Sequence, residues 1–548
     1  MSDLIATAET WIAGDPDPAT QQELRNLISA GNHTELARRF TGPLAFGTAG
    51  LRGKVEAGES RMNEATVTRT SAGLAAYLNQ RVATPKVVVG CDARHGSAQF
   101  HAATCQTLAA AGCDVIALPA QLPTPITAFA TRYFDADAGV MITASHNPPQ
   151  DNGYKVYLGG RLVADDNATG VQLISPADHD IAACIEAAPA ANQIPRRTDG
   201  ITWVPDSIVS TYLGKSLSHL PQLPETESDM PIVITAMHGV GGAVLTQALN
   251  RAGFSEIIPV PEQIQPDPDF PTVAFPNPEE KGALDLAYRT ADEHGAELIL
   301  ALDPDADRCS VAIKETGVWR QLTGDEVGAI VGETIARENA GSNKTLACSI
   351  VSSRLLSEIA KRHGLEYAAT LTGFKWIART PNVVFGYEEA LGYCCDPALV
   401  RDKDGITASV RVALIAAGLR RKARNLADFL AEIYDTYGVY ATSPLTFRMS
   451  DPADITQALE RLRSQPPAQL AGATVCECVD LAEGFAGLPP TDGLWLKTTA
   501  NDRIVVRPSG TEPKLKCYLE VVTADRTVAE ERLAQLRAEL AAALGLAG

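Results

Sequence analysis

Residues 143–153 read Thr-Ala-Ser-His-Asn-Pro-Pro-Gln-Asp-Asn-Gly and carry one hydroxyl, Ser145, at the end of the apolar run Gly139-Val140-Met141-Ile142. His146 follows at once, then Pro148-Pro149 and Asn152-Gly153, and Lys155 stands ten residues after the serine. A hydroxyl at a strand end, on a proline-stiffened loop, suits a group that is covalently modified in each turnover. Acyl transfer would call for a Gly-x-Ser-x-Gly elbow, and positions 143 and 147 are Thr and Asn. A second loop, Asp303-Pro304-Asp305-Ala306-Asp307-Arg308, follows the apolar run 297–302 directly. Three carboxylates at alternating positions repel one another and make a hard-oxygen site suited to magnesium. A calcium EF-hand fits poorly, because its sixth position is Arg308 and its twelfth is Lys314. Magnesium leaves coordination positions for phosphate oxygens, which favours phosphorylation as the modification on Ser145.

A third loop, Gly386-Tyr387-Glu388-Glu389-Ala390-Leu391-Gly392-Tyr393, has Thr372-Gly373-Phe374-Lys375 upstream and Arg401-Asp402-Lys403-Asp404-Gly405 downstream. Carboxylates between glycines suit paired hydrogen bonds from vicinal sugar hydroxyls, although a solvated acidic loop reads the same way. The fourth, Arg507-Pro508-Ser509-Gly510-Thr511-Glu512-Pro513-Lys514, joins a guanidinium, two hydroxyls and a glycine amide into a phosphate cradle without a Walker lysine.

These loops must be held by an α/β frame. Continuous apolar runs at 86–90, 231–235, 297–302 and 345–351 read as strands buried on both faces. Helical patterns at 100–111, 324–338 and 408–424 separate such runs, which implies βαβ units with parallel or mixed sheets. The expected architecture is α/β: three successive α/β domains with mixed sheets at 1–205, 206–320 and 321–443, then a smaller C-terminal α+β domain at 444–548. One chemical loop falls in each, around a central cleft. With 548 residues there is chain for several cores. A net charge of −19 disfavours non-specific nucleic-acid binding and leaves anionic small molecules possible where cations gather in a cleft. The N-terminus carries acids rather than a basic leader, and no run of 18 apolar residues occurs, so a cytoplasmic chain without a membrane span is expected. Eleven cysteines lack zinc spacing and read as reduced, structural thiols.

Four motifs in this order, with Phe46-Gly47-Thr48-Ala49-Gly50-Leu51-Arg52-Gly53 ahead of them, resemble the α-D-phosphohexomutase superfamily, the phosphoglucomutase/phosphomannomutase group, over residues 46–518. The resemblance implies that Ser145 is a phosphoserine that gives and recovers the phosphoryl group. It implies that Asp303, Asp305 and Asp307, with a Ser145 phosphoryl oxygen, hold one magnesium ion per chain. His146, Lys155 and Lys403 would move protons or neutralise charge. Glu388, with Thr372 and Gly373, would bind the sugar; Arg507, Ser509, Gly510 and Thr511 would grip the phosphate not being transferred; and Arg52, Arg308 and Lys375 would add positive charge. The implied reaction interconverts hexose 1-phosphate and hexose 6-phosphate of glucose or mannose, with a hexose 1,6-bisphosphate as intermediate and activator. Where many members carry Glu-x-Ser, this chain has Glu388-Glu389-Ala390. That departure, with Met237-His238-Gly239-Val240-Gly241 and the N-terminal extension, resembles the branch that includes phosphopentomutases and glucose-1,6-bisphosphate synthases, which stand as alternatives. Outside catalysis the alternative is an inactive sugar-phosphate-binding regulator, which the intact Ser145, aspartates and Arg507 disfavour. Partners are expected to be sugar phosphates, with neither nucleic acid nor membrane.

Overall fold

A computed structural model of the chain describes residues 2–47, 49–221, 223, 229–449, 451–509 and 514–546, with Ser2 and Pro452 described by backbone only. The described residues divide into two units, 1–322 with 392–421, and 323–391 with 422–548.

In the first unit, helices Ser2–Gly14, Pro18–Ser29 and His33–Arg39 precede a mixed sheet. Its centre is Lys86–Cys91, parallel to Asp114–Ala117 on one side and to Ala138–Ile142 on the other. Asp151–Leu158 then runs antiparallel to Ala138–Ile142, and Leu51–Lys54 antiparallel to Asp151–Leu158. Helices Glu64–Asn79, Ser97–Ala110 and Thr124–Tyr133 flank these strands, which is why Val87, Val89, Val140 and Ile142 are all fully buried and the strands read as unbroken apolar runs. The Ala/Pro-rich stretch near 187–195 does not end this sheet, because Ile201–Trp203 returns to pair with Asp114–Ala117.

The second sheet orders Val318–Gln321, Cys309–Glu315, Leu298–Leu302, Ile232–Thr235 and Ile257–Pro259. Leu298–Leu302 is parallel to Ile232–Thr235 and antiparallel to Cys309–Glu315. Helix Gly405–Arg420 packs on helix Gly242–Ala252 and on the strands Leu298–Leu302 and Cys309–Glu315. Residues 392–421 therefore belong with the metal-loop half of the chain, although they follow the third domain in sequence.

In the second unit, Thr345–Ser349 lies parallel to both Glu366–Thr370 and Val383–Glu388. Helix Gly324–Glu338 opens on a capping box in which Thr323 Oγ1 accepts from Glu326 N and the Glu326 carboxylate accepts from Thr323 N. The last sheet orders Val439–Arg448, Lys514–Thr523, Arg503–Pro508, Leu494–Thr498, Ala473–Asp480 and Gln469–Leu470, antiparallel throughout. Leu533, Leu536 and Leu540 of helix Arg526–Leu544 bury against it. Val439–Arg448 is continuous across position 444, with Pro444 opposite Tyr518. It is an edge strand, where proline forfeits no necessary ladder bond, so a proline that reads as a linker sits inside a strand. Arg503 clasps the end of Thr345–Ser349: its guanidinium donates to the carbonyls of Ile350, Val351 and Ser352. Glu520, fully buried, accepts from Ser353 Oγ and Arg354 N.

No helix among the described residues is long and apolar enough to cross a membrane. All eleven cysteines are unpaired thiols, and only Cys476 and Cys478 are exposed. Burial pushes thiols such as Cys91 and Cys309 up to about 12, which suits inert packing groups rather than nucleophiles.

Candidate active site

Ser145 sits just past the carboxyl end of Ala138–Ile142 in the left-handed region, at φ 55°. A serine there costs roughly 1–2 kcal/mol relative to the right-handed region, so the surroundings must impose it. Ser145 N donates to Thr143 Oγ1 at 2.8 Å, and Ser145 Oγ donates to Asp303 Oδ2 at 2.9 Å. His146 Nδ1 lies 3.2 Å from Ser145 Oγ, and its ring meets Phe275 edge-on. Desolvation, Arg308 and Arg52 push the imidazole well below its ordinary pKa, which keeps it neutral near pH 7.

The aspartates stand at the carboxyl end of Leu298–Leu302, where ligand sites of open α/β sheets form. Their turn is closed by Ala306 N donating to Asp303 O, with Ala306 at φ 57°. Asp303, Asp305 and Asp307 are all essentially buried, and their ligand atoms lie within 4.8 Å of one another. Lys155, from the neighbouring sheet, donates to Asp305 Oδ2 at 2.8 Å and to Asp307 Oδ2 at 3.1 Å. Lys403 Nζ is 3.1 Å from Asp307 Oδ2. Thr124 Oγ1 donates to Asp305 Oδ2 at 2.7 Å, and Arg308 N donates to Asp303 Oδ1 at 3.0 Å. Burial, Asp305 and Asp307 raise Asp303 well above the usual carboxylate range. Burial works the same way on Asp307, but Lys155, Lys403 and Arg308 outweigh it and hold Asp307 below that range. Asp305 Oδ1 and Asp307 Oδ1 are buried without a hydrogen-bond partner among the described residues. Orphaned carboxylate oxygens beside a third carboxylate are the donor set a hard divalent cation needs, and the residues fit magnesium on that ground.

Glycines flank this turn. A Cβ on Gly239 would lie 2.2 Å from Pro304 Cα and 2.3 Å from Pro304 O, and a Cβ on Gly405 would lie 2.3 Å from Arg308 O. The Met237-to-Gly241 motif thereby acquires a role: its glycine lets the backbone touch the aspartate turn. Gly239→Ala is expected to lower stability by about 1–3 kcal/mol through overpacking and to weaken binding of divalent cations, read by thermal unfolding with and without magnesium.

Lys403 is positioned by its two neighbours. Asp402 accepts from Tyr157 Oη at 2.8 Å and from Gln172 Nε2 at 3.0 Å. Asp404 accepts from Tyr212 Oη and caps helix Gly405–Arg420 through Ile406 N and Thr407 N. Arg52, paired in register with Gly153, feels the charges of Asp305, Asp307 and Arg308. The first unit thus gathers Ser145, His146, Lys155, Asp303, Asp305, Asp307, Arg308, Lys403 and Arg52.

The second unit carries the remaining expected residues. Lys375 stands on the short helix Phe374–Ile377, preceded by Thr372 and by Gly373 at φ 105°. Glu388 ends strand Val383–Glu388, half-buried. Its neighbour Glu389 turns onto a serine pair, accepting from Ser349 Oγ at 3.2 Å and Ser352 Oγ at 3.1 Å. Arg507 ends the strand pairing with Lys514–Thr523, and Ser509 N donates to Lys514 O. Tyr518 feels Glu389, Arg507 and Glu388 together, so the acidic loop and the arginine converge there. Gly510 and Thr511 lie outside the described residues. Burial, with Glu388 and Asp325 adding repulsion, pushes Glu389 up from 4.5 to about 7. Between those values the folded chain holds a proton that the unfolded chain has lost, so stability falls as pH rises through the window. Glu389→Gln should flatten that slope, worth at most about 3 kcal/mol, in denaturant midpoints measured from pH 5 to 8.

Several participants escape a reading by motif. Arg94 fans over the Ser145 loop, Thr124 reaches Asp305 from another helix, and Glu279 lies 3.7 Å from Arg308 Nη1. Each is a single polar residue in an unremarked segment. The only signal was position: Arg94 and Thr124 both lie just beyond carboxyl ends of strands in the first sheet.

Four models of phosphoglucomutase/phosphomannomutase domains match the chain in order: the alpha/beta/alpha domains I, II and III at residues 43–188, 211–317 and 323–437, and the C-terminal domain at 447–543. The chain belongs to the phosphoglucomutase/phosphomannomutase family. Family membership makes it an intramolecular phosphotransferase of the isomerase type. A Haemophilus influenzae protein named "Probable phosphomannomutase" is 44% identical over 86% of this chain and 96% of its own length. The human protein named "Phosphopentomutase" is 34% identical over 97% of this chain and 94% of its own length. A crystal structure of a phosphoglucomutase/phosphomannomutase family protein from Burkholderia thailandensis superposes with a TM-score of 0.70, covering 92% of this chain and 98% of that one at 17% identity, a likeness of fold.

Proposed function

We propose that this family member interconverts hexose 1-phosphate and hexose 6-phosphate, with glucose and mannose phosphates as its substrates, through a phosphorylated Ser145. The observation that carries this reading is the single buried cluster in which Ser145 Oγ meets Asp303 while Lys155 and Lys403 face Asp305 and Asp307. A hydroxyl beside three carboxylates is a poor site for a phosphate unless cations offset the charge. Lys155, Lys403, Arg308 and a divalent ion held by Asp303, Asp305 and Asp307 would do so. Magnesium bound there would supply charge neutralisation at the transferring phosphoryl group.

In the forward direction the sugar's free hydroxyl attacks the phosphorus on Ser145. The P–Oγ bond breaks, the proton of the attacking hydroxyl passes to a base, the departing Oγ takes up a proton, and a hexose 1,6-bisphosphate results. After the bisphosphate turns over, Ser145 Oγ gives up its proton to a base and attacks the other phosphate, the sugar O–P bond breaks, and the released sugar oxygen takes a proton back. Lys155, Lys403 and neutral His146 are titratable groups beside Ser145 and its aspartates, and we assign the exchange to them. We assign the sugar hydroxyls to Glu388 with Thr372 and Gly373, the non-transferred phosphate to Arg507, Ser509, Gly510 and Thr511, and supporting charge to Arg52, Arg308 and Lys375.

The human relative's name brings a pentose phosphate into the comparison, and ribose 1-phosphate serves as its probe. Measuring kcat/KM for glucose 1-phosphate, mannose 1-phosphate and ribose 1-phosphate on one preparation tests the reading. Either hexose phosphate should exceed the pentose phosphate by about tenfold or more, and a higher value for the pentose would overturn the hexose assignment.

A further inference from the structure

Arg94 donates four hydrogen bonds from its guanidinium, and the reaction above does not use it. It follows strand Lys86–Cys91 and is buried, with 4% of its surface exposed. Its Nη2 donates to the carbonyls of Ser145 and Asn147, and its Nη1 donates to Pro148 O at 3.0 Å and Asp151 O at 3.2 Å. Behind it, Asp92 pairs with Nε at 3.4 Å and is itself fixed by Arg94 N and Ser97 Oγ. Phe270 covers the guanidinium, 5.0 Å from ring centre to Cζ.

Residues 145–150 form neither helix nor strand, and the turn is tied to itself by a few local bonds: Asn147 N to Ala144 O, Asp151 N to Pro148 O, and Asn147 Nδ2 to Asp151 Oδ2. The carbonyls of Ser145, Asn147, Pro148 and Asp151 converge on one guanidinium, and holding four of them takes a donor with several N–H groups in a rigid plane, which arginine has and lysine lacks. Ser145 is gripped on both sides: Thr143 Oγ1 takes its N–H and Arg94 takes its carbonyl. Those two bonds set the backbone angles on either side of Cα, and so the direction of Cβ and Oγ.

We propose that Arg94, braced by Asp92, is a positioning residue that aims the phosphorylated Ser145 at the sugar hydroxyl and away from water. This rests on the reading that Ser145 carries the phosphoryl group. Loss of the clamp lets the loop sample other directions. Transfer to a fixed sugar then suffers more than transfer to water, which attacks from any side.

The test compares wild type, Arg94→Lys and Arg94→Ala after loading each with glucose 1,6-bisphosphate. Intact mass gives the phosphorylated fraction and its decay in buffer, and all rates are expressed per phosphorylated molecule so that unfolded protein drops out. In Arg94→Lys, kcat should fall by about 100-fold with KM changed less than about threefold, as expected when alignment rather than binding is lost. The ratio of hydrolysis to isomerisation should rise by at least about tenfold, and added guanidinium ion should return part of the kcat of Arg94→Ala. A residue that merely holds the fold would lower both rates in proportion, leave their ratio unchanged and ignore guanidinium; that outcome overturns the inference. Wild type that takes up no phosphoryl group on Ser145 would overturn the underlying function instead, and would be recognised before any variant is compared.

Discussion

Ser145→Ala is expected to abolish the phosphorylated form and lower isomerisation by at least about 10⁴-fold, while the protein remains folded. The fold should survive because the change removes one oxygen from a buried loop whose backbone is held independently, by Thr143 Oγ1 and by Arg94. Both residues are ordinary L-amino acids, so the left-handed backbone is no costlier for alanine in kind. The lost bond to Asp303 removes one donor from a carboxyl group that burial, Asp305 and Asp307 already raise well above the usual range, which limits the damage further. Intact mass after incubation with a hexose bisphosphate reads the modification, a coupled assay reads the rate, and near-ultraviolet circular dichroism reads the fold. A variant that keeps more than about a tenth of wild-type kcat would exclude Ser145 as the carrier, since loss of a covalent nucleophile is far costlier than that.

Lys155→Met should produce the largest loss of stability in the first unit. Lys155 Nζ bonds both Asp305 Oδ2 and Asp307 Oδ2. Burial would lower its pKa, but the two carboxylates reverse that and keep it an ammonium ion. Methionine has nearly the same shape and no charge, so packing is spared while two buried carboxylates lose their shared partner. Stripping one side of a buried ionic cluster costs about 3–5 kcal/mol, and stability in chelator should fall by that order. Magnesium should then restore more of the midpoint in the variant than in wild type, because a divalent ion becomes the main counter-charge for Asp305 and Asp307. Equal magnesium responses in the two proteins would argue that these aspartates do not hold the ion. Activity should drop by about 10²–10⁴-fold even when magnesium is saturating, the range expected when a positioned proton-transfer or charge-stabilising group is lost.

What could be read from sequence was chemistry packed into consecutive residues. Ser145 and the three aspartates announced themselves because a turn of six residues carries its own logic: acids repel, so something positive must join them. The strands were readable for a similar reason, since Lys86–Cys91 and Leu298–Leu302 are covered on both faces and show it as unbroken apolar runs. Partnerships between distant segments were not readable. Arg94 and Thr124 look like ordinary loop and helix-start residues until the fold lays them on Ser145 and Asp305. Glu388 and Glu389 are neighbours of identical type, and only the serine pair at Ser349 and Ser352 tells which one turns inward. The expected boundary at 443/444 falls inside the edge strand Val439–Arg448, which runs on through Pro444 because a proline's cost depends on which side of a strand is paired.

The return of residues 392–421 to the first unit has a consequence for biosynthesis. A chain emerging from the ribosome presents Asp307 and its companions long before Lys403, and helix Gly242–Ala252 long before Gly405–Arg420 covers it. At about 5–20 residues per second, some seconds of translation separate them. During that interval the nascent first unit lacks a helix over its apolar face and one cation of its acidic centre. Completion of the site is therefore tied to completion of the intervening 323–391 segment. A ribosome that stalls within that segment leaves a chain that holds Ser145, the aspartates and Lys155 but not Lys403, the second lysine at Asp307.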